Sequence, residues 1–371
     1  MCHLLKMLAV IIVYGAMTVF SHGKDMTLAF IGQQVIPHDR IYKETTVGGL
    51  SSLDYDSETN SYVAICDDRS RYNPARFYGL KLDYDVSGFH KWQLTDVHFM
   101  KQPDGAFFPK PEFFGKASVD PEALRLSPDR QSYYWTSEGH AKEGVDPFIR
   151  EMTLSGGYIR DFTVPQKYRA AEDKGVRDNL AFEALALSVD QESIMVSTEG
   201  PLIQDGPEAD VKSSAPIRLL QLDIASGKAL YEYVYDVSPV HQETLPIGNF
   251  SVSGVVAILA VTDKKYIVVE RSFSTGAGLS VKLFLADLTD ATDVLNHDSL
   301  EEVTYQAAKK TLLADLSGLG ARFGIAIDNI EGITFGKRLK DDRRSLLLIS
   351  DNNFRAAQVT QILAFAVDGL E

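Results

Sequence analysis

The feature that most limits what this chain can fold into is a short apolar hairpin that recurs five times. The last copy reads Asp328-Asn-Ile-Glu-Gly-Ile-Thr-Phe335, then a polar turn, then Ser345-Leu-Leu-Leu-Ile-Ser-Asp-Asn-Asn353. The earlier copies run from Ser51 to Asp67, Glu122 to Glu138, Glu183 to Glu199 and Gly254 to Glu270, each with the same 16-residue offset. Glu331 to Asp351 spans 20, a longer turn. Paired residues of an antiparallel hairpin have a constant index sum, so the midpoint of each pair must fall in a turn. The midpoints are residues 59, 130, 191, 262 and 341, inside Ser57–Asn60, Pro128–Gln131, Asp190–Ser193, Thr262–Lys265 and Lys340–Arg343. All five are turn chemistry.

Further strand-like runs follow each hairpin, among them Phe77–Leu82, Phe148–Leu154, Ile217–Asp223 and Lys282–Asp287. Four strands per unit, recurring every 61 to 77 residues, predict an all-β fold, a β-propeller. The count is five blades, with room for a sixth in the long connections; a β-sandwich with long loops is the alternative. The fifth unit has one more strand, Thr360–Val367, and lacks another. Met26–Ile31 is expected to supply it, so that both chain ends close one blade and no sheet edge stays open. Short helices are expected at Ala307–Leu313 and Tyr168–Asp173. The 101–120 and 201–216 stretches read as long loops over one face.

Acidic residues outnumber basic ones by 51 to 37, a net charge of −14. That excludes an ordinary nucleic-acid partner, which needs a basic surface. It suits a solvated surface or a cation binder. Lys6 precedes an apolar run, Met7 to Phe20, too short for a comfortable membrane span and followed by Ser21 and Gly23. Residues 1–23 are therefore expected to be a signal peptide, with an uncleaved anchor as the alternative, and residues 24–371 a single exported domain, periplasmic or secreted. No membrane contact beyond this leader is expected. Cys2 lies in the leader, which leaves Cys66 as the one mature cysteine and excludes an internal disulfide. Its setting, Tyr62-Val-Ala-Ile-Cys66, is that of a small core residue.

In each hairpin the start of the first strand lies beside the end of the second. If the first strand is innermost, the marked positions form a rim around the central channel. Eight of the ten are acidic: Asp67, Glu122, Glu138, Glu183, Glu199, Glu270, Glu331 and Asp351; the other two are Ser51 and Gly254. Taken singly, each acid is explained as a solvated strand end. Together they repel unless cations, arginines or raised pKa values relieve them. Carboxylates with Asn179, Asn329, Asn352 and Asn353 nearby form an all-oxygen donor set, suited to Ca2+. Glu122, Glu183 and Glu331 are the first candidate ligands. Arg69, Arg125, His140, Arg177, Arg271 and Arg355 stand next to the acids and are candidates for holding an anionic substrate, or else for pairing with the acids themselves. The catalytic residues are not identifiable: phosphate-loop, HExxH and G-x-S-x-G motifs are all absent.

Several segments are similar to the phytase-like family, also described as "esterase-like activity of phytase". They include Asp67-Asp-Arg-Ser70, Asn73-Pro-Ala-Arg-Phe-Tyr78, Asp120-Pro-Glu-Ala-Leu-Arg125, Tyr134-Trp-Thr-Ser-Glu-Gly139, Arg177-Asp-Asn-Leu-Ala-Phe-Glu-Ala-Leu185, Glu270-Arg-Ser-Phe273, Asp328-Asn-Ile-Glu-Gly-Ile333 and Ile349-Ser-Asp-Asn352. The resemblance runs from about residue 45 to the C-terminus and implies a propeller and hydrolysis of phosphate or carboxylic esters. The expectation is a monomeric exported hydrolase acting on an anionic ester with Ca2+ at the rim. The rival is a non-catalytic binding or scaffold propeller of the cell envelope.

Overall fold

A computed structural model describes residues 26–111 and 119–369, together with the backbone of Thr18–Val19. The expected leader, its cleavage point and Cys2 lie outside the described residues. Within them, four hairpin units each become a four-stranded antiparallel sheet, and the fifth becomes a five-stranded one. From channel to outside, blade 1 is β2 (Leu50–Asp56), β3 (Ser61–Cys66), β4 (Arg76–Asp85) and β5 (Gly88–Phe99). Blade 2 is β6 (Pro121–Leu126), β7 (Ser132–Ser137), β8 (Phe148–Thr153) and β9 (Tyr158–Asp161). Blade 3 is β10 (Phe182–Leu187), β11 (Ser193–Thr198), β12 (Ala215–Asp223) and β13 (Ala229–Val237). Blade 4 is β14 (Ser251–Thr262), β15 (Lys265–Ser274), β16 (Gly278–Asp287) and β17 (Lys309–Asp315). Blade 5 is β18 (Asn329–Arg338), β19 (Arg344–Asp351), β20 (Thr360–Asp368) and β1 (Thr27–Ile36), with the two-residue strand Thr18–Val19 paired on the outer edge of β1.

The closure is the expected one: β1 pairs antiparallel with β20, Leu28 opposite Val367 and Ile36 opposite Thr360. The five inner strands, β2, β6, β10, β14 and β18, pack in a closed ring. The blades number five, and the alternative sandwich is excluded by this closed ring. Ala307–Leu313 is not helical; most of it belongs to β17, because pairing with β16 outweighs its local propensity. The second expected helix, Tyr168–Asp173, does not form; a single 3-10 turn at Gln166–Tyr168 reaches only its first residue, while α1 (Ser317–Phe323) was not anticipated. Among the described residues no helix is long and apolar enough to cross a membrane.

Both faces of every blade are buried, which explains why the second strands read as unbroken apolar runs rather than alternating ones. On β19, Leu346 and Leu348 face blade 4 and join a core with Ile267, Val269 and Leu283. Leu347 and Ile349 face blade 1 and pack with Leu53, Ala64 and Tyr78. Equivalent cores fill the gaps between blades 3 and 4, 2 and 3, and 1 and 2. Cys66 is fully buried in this packing, its thiol donating to Gly48 O at 3.1 Å.

Near the axis the inner strands approach so closely that one position must be small. It is Ser52, Ala123, Ala184, Ala257 and Gly332 in the five blades. A Cβ on Gly332 would lie 2.4 Å from Ile349 Cγ2 and 3.0 Å from both Leu53 N and Ser52 Cα, two backbone atoms that cannot move aside. Gly332→Ala is expected to destabilise by about 1–3 kcal/mol through overpacking, read as a lower urea midpoint at unchanged slope. An unchanged midpoint would show that the axis has slack.

Candidate functional site

Each inner hairpin carries a β-bulge near its open end. The register shifts between Leu50 and Ser52, Pro121 and Leu124, Phe182 and Ala184, Val255 and Ala257, and Ile330 and Gly332. The inserted residues are Ser51, Glu122 (with Ala123), Glu183, Val256 and Glu331. A bulge adds a residue to one strand and re-aims its side chain. Three of the five re-aimed side chains here are glutamates.

Opposite them, the strand that returns to the mouth ends in Asp67, Glu138, Glu199, Arg271 and Asp351. These pair with Gly49, Asp120, Ala181, Gly254 and Asn329. These pairs are two residues wider than the expected offset in blades 1, 2, 3 and 5 and one wider in blade 4, and the bulge supplies one residue of that change. It corrects the expected ring in blade 4: the equivalent pair there is Gly254 with Arg271, and the bulge residue is Val256. Glu270 is therefore not part of the rim. Adjacent strand residues point to opposite faces, and Glu270 turns between blades 3 and 4. There it accepts from Tyr235 Oη at 2.6 Å, Lys310 Nζ at 2.7 Å and Ser238 N at 3.2 Å. Gly254 is the contact surface for Glu199, since a Cβ there would stand 2.4 Å from Glu199 Cγ.

The resulting basin holds eight carboxylates: Asp67, Asp120, Glu122, Glu138, Glu183, Glu199, Glu331 and Asp351. Asp120 is the member that spacing missed. Its signal was present in Asp120-Pro121-Glu122, because residues two apart on a strand share a face. All but Asp67 are buried. Two groups bring carboxylate oxygens within 4.8 Å of one another: Asp120 with Glu122 and Glu138, and Glu138 with Glu183 and Glu199. Burial, reinforced by mutual repulsion, holds Glu122, Glu138, Glu183 and Asp351 well above the usual carboxylate range. Burial together with Glu331 and Asp120 pushes Asp67 up to about 8. Glu331 is pushed up to about 7 by burial, against the opposing pull of Arg271.

Two arginines face the acids. Arg271 bonds Glu199, Glu331 (2.9 Å) and Asn329 Oδ1 (2.7 Å). Arg69 pairs with Asp120 and donates to Asn179 Oδ1 at 2.7 Å. Its loop is pinned by the buried Arg76–Asp68 ion pair, with Asp68 also accepting from Tyr72 N and Asn73 N. The remaining basic candidates lie elsewhere. Arg125 is 4% exposed and cannot meet a substrate. It lies beneath the basin and donates to Leu53 O, Leu124 O, Ile258 O and Ile333 O, carbonyls of four inner strands. Nearby Asp54, which accepts from Leu126 N, balances its charge. Arg177 bonds Pro201 O and Gly206 O and lines a separate cleft with Lys142 and Glu208. His140 is half-buried beside Glu143, and Arg355 is exposed in the loop after Asp351. Asn353 N caps Asp351 at 2.8 Å, and Asn352 Oδ1 accepts from Gly49 N, so those two asparagines order the mouth loops.

Fold and site together define a five-bladed β-propeller whose channel opens into a buried carboxylate basin above an arginine plug. A model of the phytase-like family, "Esterase-like activity of phytase", matches residues 45–354, and the chain belongs to that family. No curated protein matches the chain. Among solved structures, the periplasmic gluconolactonase PpgL of Pseudomonas aeruginosa is similar at 10% identity, with 95% of this chain and 96% of that one covered and a TM-score of 0.36. The catalytic domain of the Coprinopsis cinerea GH62 α-L-arabinofuranosidase is similar at 9% identity, covering 92% and 97%, with a TM-score of 0.42. The GH43 endo-arabinanase of Bacillus licheniformis gives 12%, 87%, 95% and 0.38 in the same order. Likenesses this distant carry no argument about the chemistry of the basin.

Proposed function

We propose that this protein is an exported, monomeric hydrolase of anionic phosphate or carboxylic esters, working with Ca2+ held in the channel basin. Family membership supports the hydrolase class. The observation that carries the metal is the imbalance at the mouth: eight carboxylates face two guanidinium groups. Some of the basin's oxygens also lack any partner. Asp67 Oδ1 and Asp120 Oδ1 are both buried without a hydrogen bond. The donors are all oxygens, which fits a hard cation rather than zinc. Asp67, Asp120, Glu122, Glu138, Glu183 and Glu199 would hold it.

Bound there, a divalent cation supplies Lewis-acid polarisation of an ester oxygen and lowers the pKa of water. The chain's own residues do the rest. Arg271 and Arg69, fixed by their carboxylate and asparagine partners, present positive charge to the substrate's anion. The buried walls exclude bulk water and strengthen these interactions. Glu331, near neutrality, can hold and release a proton at its carboxylate. Export rests on the apolar Met7–Phe20 run behind Lys6. The rival scaffold reading draws on Arg271 and Arg69, which already engage basin acids.

The test is a panel of phosphate and carboxylic esters assayed after chelation and again with Ca2+ restored. The expected result is hydrolysis of one class, falling at least about tenfold on chelation and recovering with Ca2+, a loss of about 1.4 kcal/mol or more in transition-state stabilisation. Absence of hydrolysis across the panel with Ca2+ present would favour the scaffold.

A further inference from the structure

We infer that the basin takes two adjacent divalent cations, one on blade 2 and one between blades 2 and 3, with Glu138 as the carboxylate they share. This rests on the metal-dependent reading above and adds the number of ions and their address. The two oxygen groups that come within 4.8 Å are distinct, Asp120–Glu122–Glu138 and Glu138–Glu183–Glu199, and Glu138 alone belongs to both.

Independent observations point to a ligand in each half. In the blade 2 group, Asp120 is 2% exposed and its Oδ1 has no partner. In the other, Glu183 is 7% exposed and accepts no hydrogen bond from any described residue. A buried carboxylate without donors is costly unless protonated or bound to a cation. Glu138 itself is oriented for a shared role. Ala181 N donates to its Oε1 at 2.7 Å, fixing the carboxylate on the boundary between blades 2 and 3.

Charge gives the same count. Arg125 is matched by Asp54, so Arg69 and Arg271 are the cations within the basin. With all eight carboxylates ionised and both arginines counted, one divalent ion leaves four charges uncompensated and two leave a pair, a remainder that solvent reaching Asp67 helps to carry. The opposite wall is already tied: Arg271 and Asn329 hold Glu331, and Asn353 N holds Asp351. The address of both ions is therefore the blade 2 and 3 side.

The experiment is calorimetric titration of Ca2+ into chelator-treated full-length protein, with Glu122→Gln, Glu183→Gln and Glu138→Gln. Wild type is expected to bind two ions per chain. E122Q and E183Q should each lose one and retain the other, while E138Q weakens both at least tenfold. One ion in wild type, weakened alike by all three changes, overturns the shared-ligand centre and leaves the single-metal reading intact. No Ca2+ uptake sinks both. Should a variant fail to fold, wild type loaded with mixed Tb3+ and Eu3+ gives a second measurement. Energy transfer between the ions supports adjacency; two bound ions without transfer overturn it.

Discussion

Arg125→Ala is expected to be the most damaging single substitution, lowering the unfolding free energy by about 3–5 kcal/mol. Arg125 contacts blades 1, 2, 4 and 5 through backbone carbonyls, and its loss would strip a charged donor from each of those buried oxygens at once. It would also leave the half-buried Asp54 carboxylate without its positive neighbour. Removing both charges costs less than removing one. The double variant Asp54→Asn with Arg125→Met should therefore recover part of the loss. Urea denaturation of the three proteins decides this. If Arg125→Ala costs less than about 1 kcal/mol, the plug does not hold the blades together.

The second large effect is a pH dependence opposite in sign to that of most carboxylates. Asp67 and Glu331 are raised in the folded state, to about 8 and about 7, so between pH 4 and 8 the native protein binds more protons than the unfolded chain. Stability without metal must then fall as pH rises through that window. The expected loss between pH 5 and 8.5 in chelator is about 3 kcal/mol, discounting the two shifts for screening and coupling. Ca2+ binds the ionised basin, so it should restore stability mainly at the alkaline end, by about 2.7 kcal/mol per ion at a hundredfold excess over Kd. Thermal melts across this range, with and without Ca2+, provide the check. Metal-free protein that gains stability toward pH 8 would contradict the buried, repelling basin.

The architecture was legible because a propeller repeats one local solution. Turn chemistry at five midpoints, and apolar runs such as Ser345–Ile349, report a buried hairpin wherever it occurs. Even the closing role of Met26–Ile31, part of the observed strand Thr27–Ile36, followed from a missing strand. The bulge was not legible. Spacing counts residues but not which strand holds an unpaired one, and a slip of one residue exchanges faces. In blade 4 that slip exchanged Glu270 for Arg271, replacing an expected acid of the rim with its principal cation. Arg125 was misplaced for a related reason. Its neighbour in sequence, Glu122, sits on the bulge, while Arg125 lies past it and reaches the axis.

By itself the sequence determined five hairpins, their closure by both chain ends, and a concentration of acids at one end of the inner strands. These follow from local periodicity and turn preference, which each segment carries alone. Which acids share a basin, which arginine enters it and which plugs the channel were decided only by the tertiary structure. Those assignments depend on bulge positions and on the convergence of five strands from distant parts of the chain. No single hairpin contains that information.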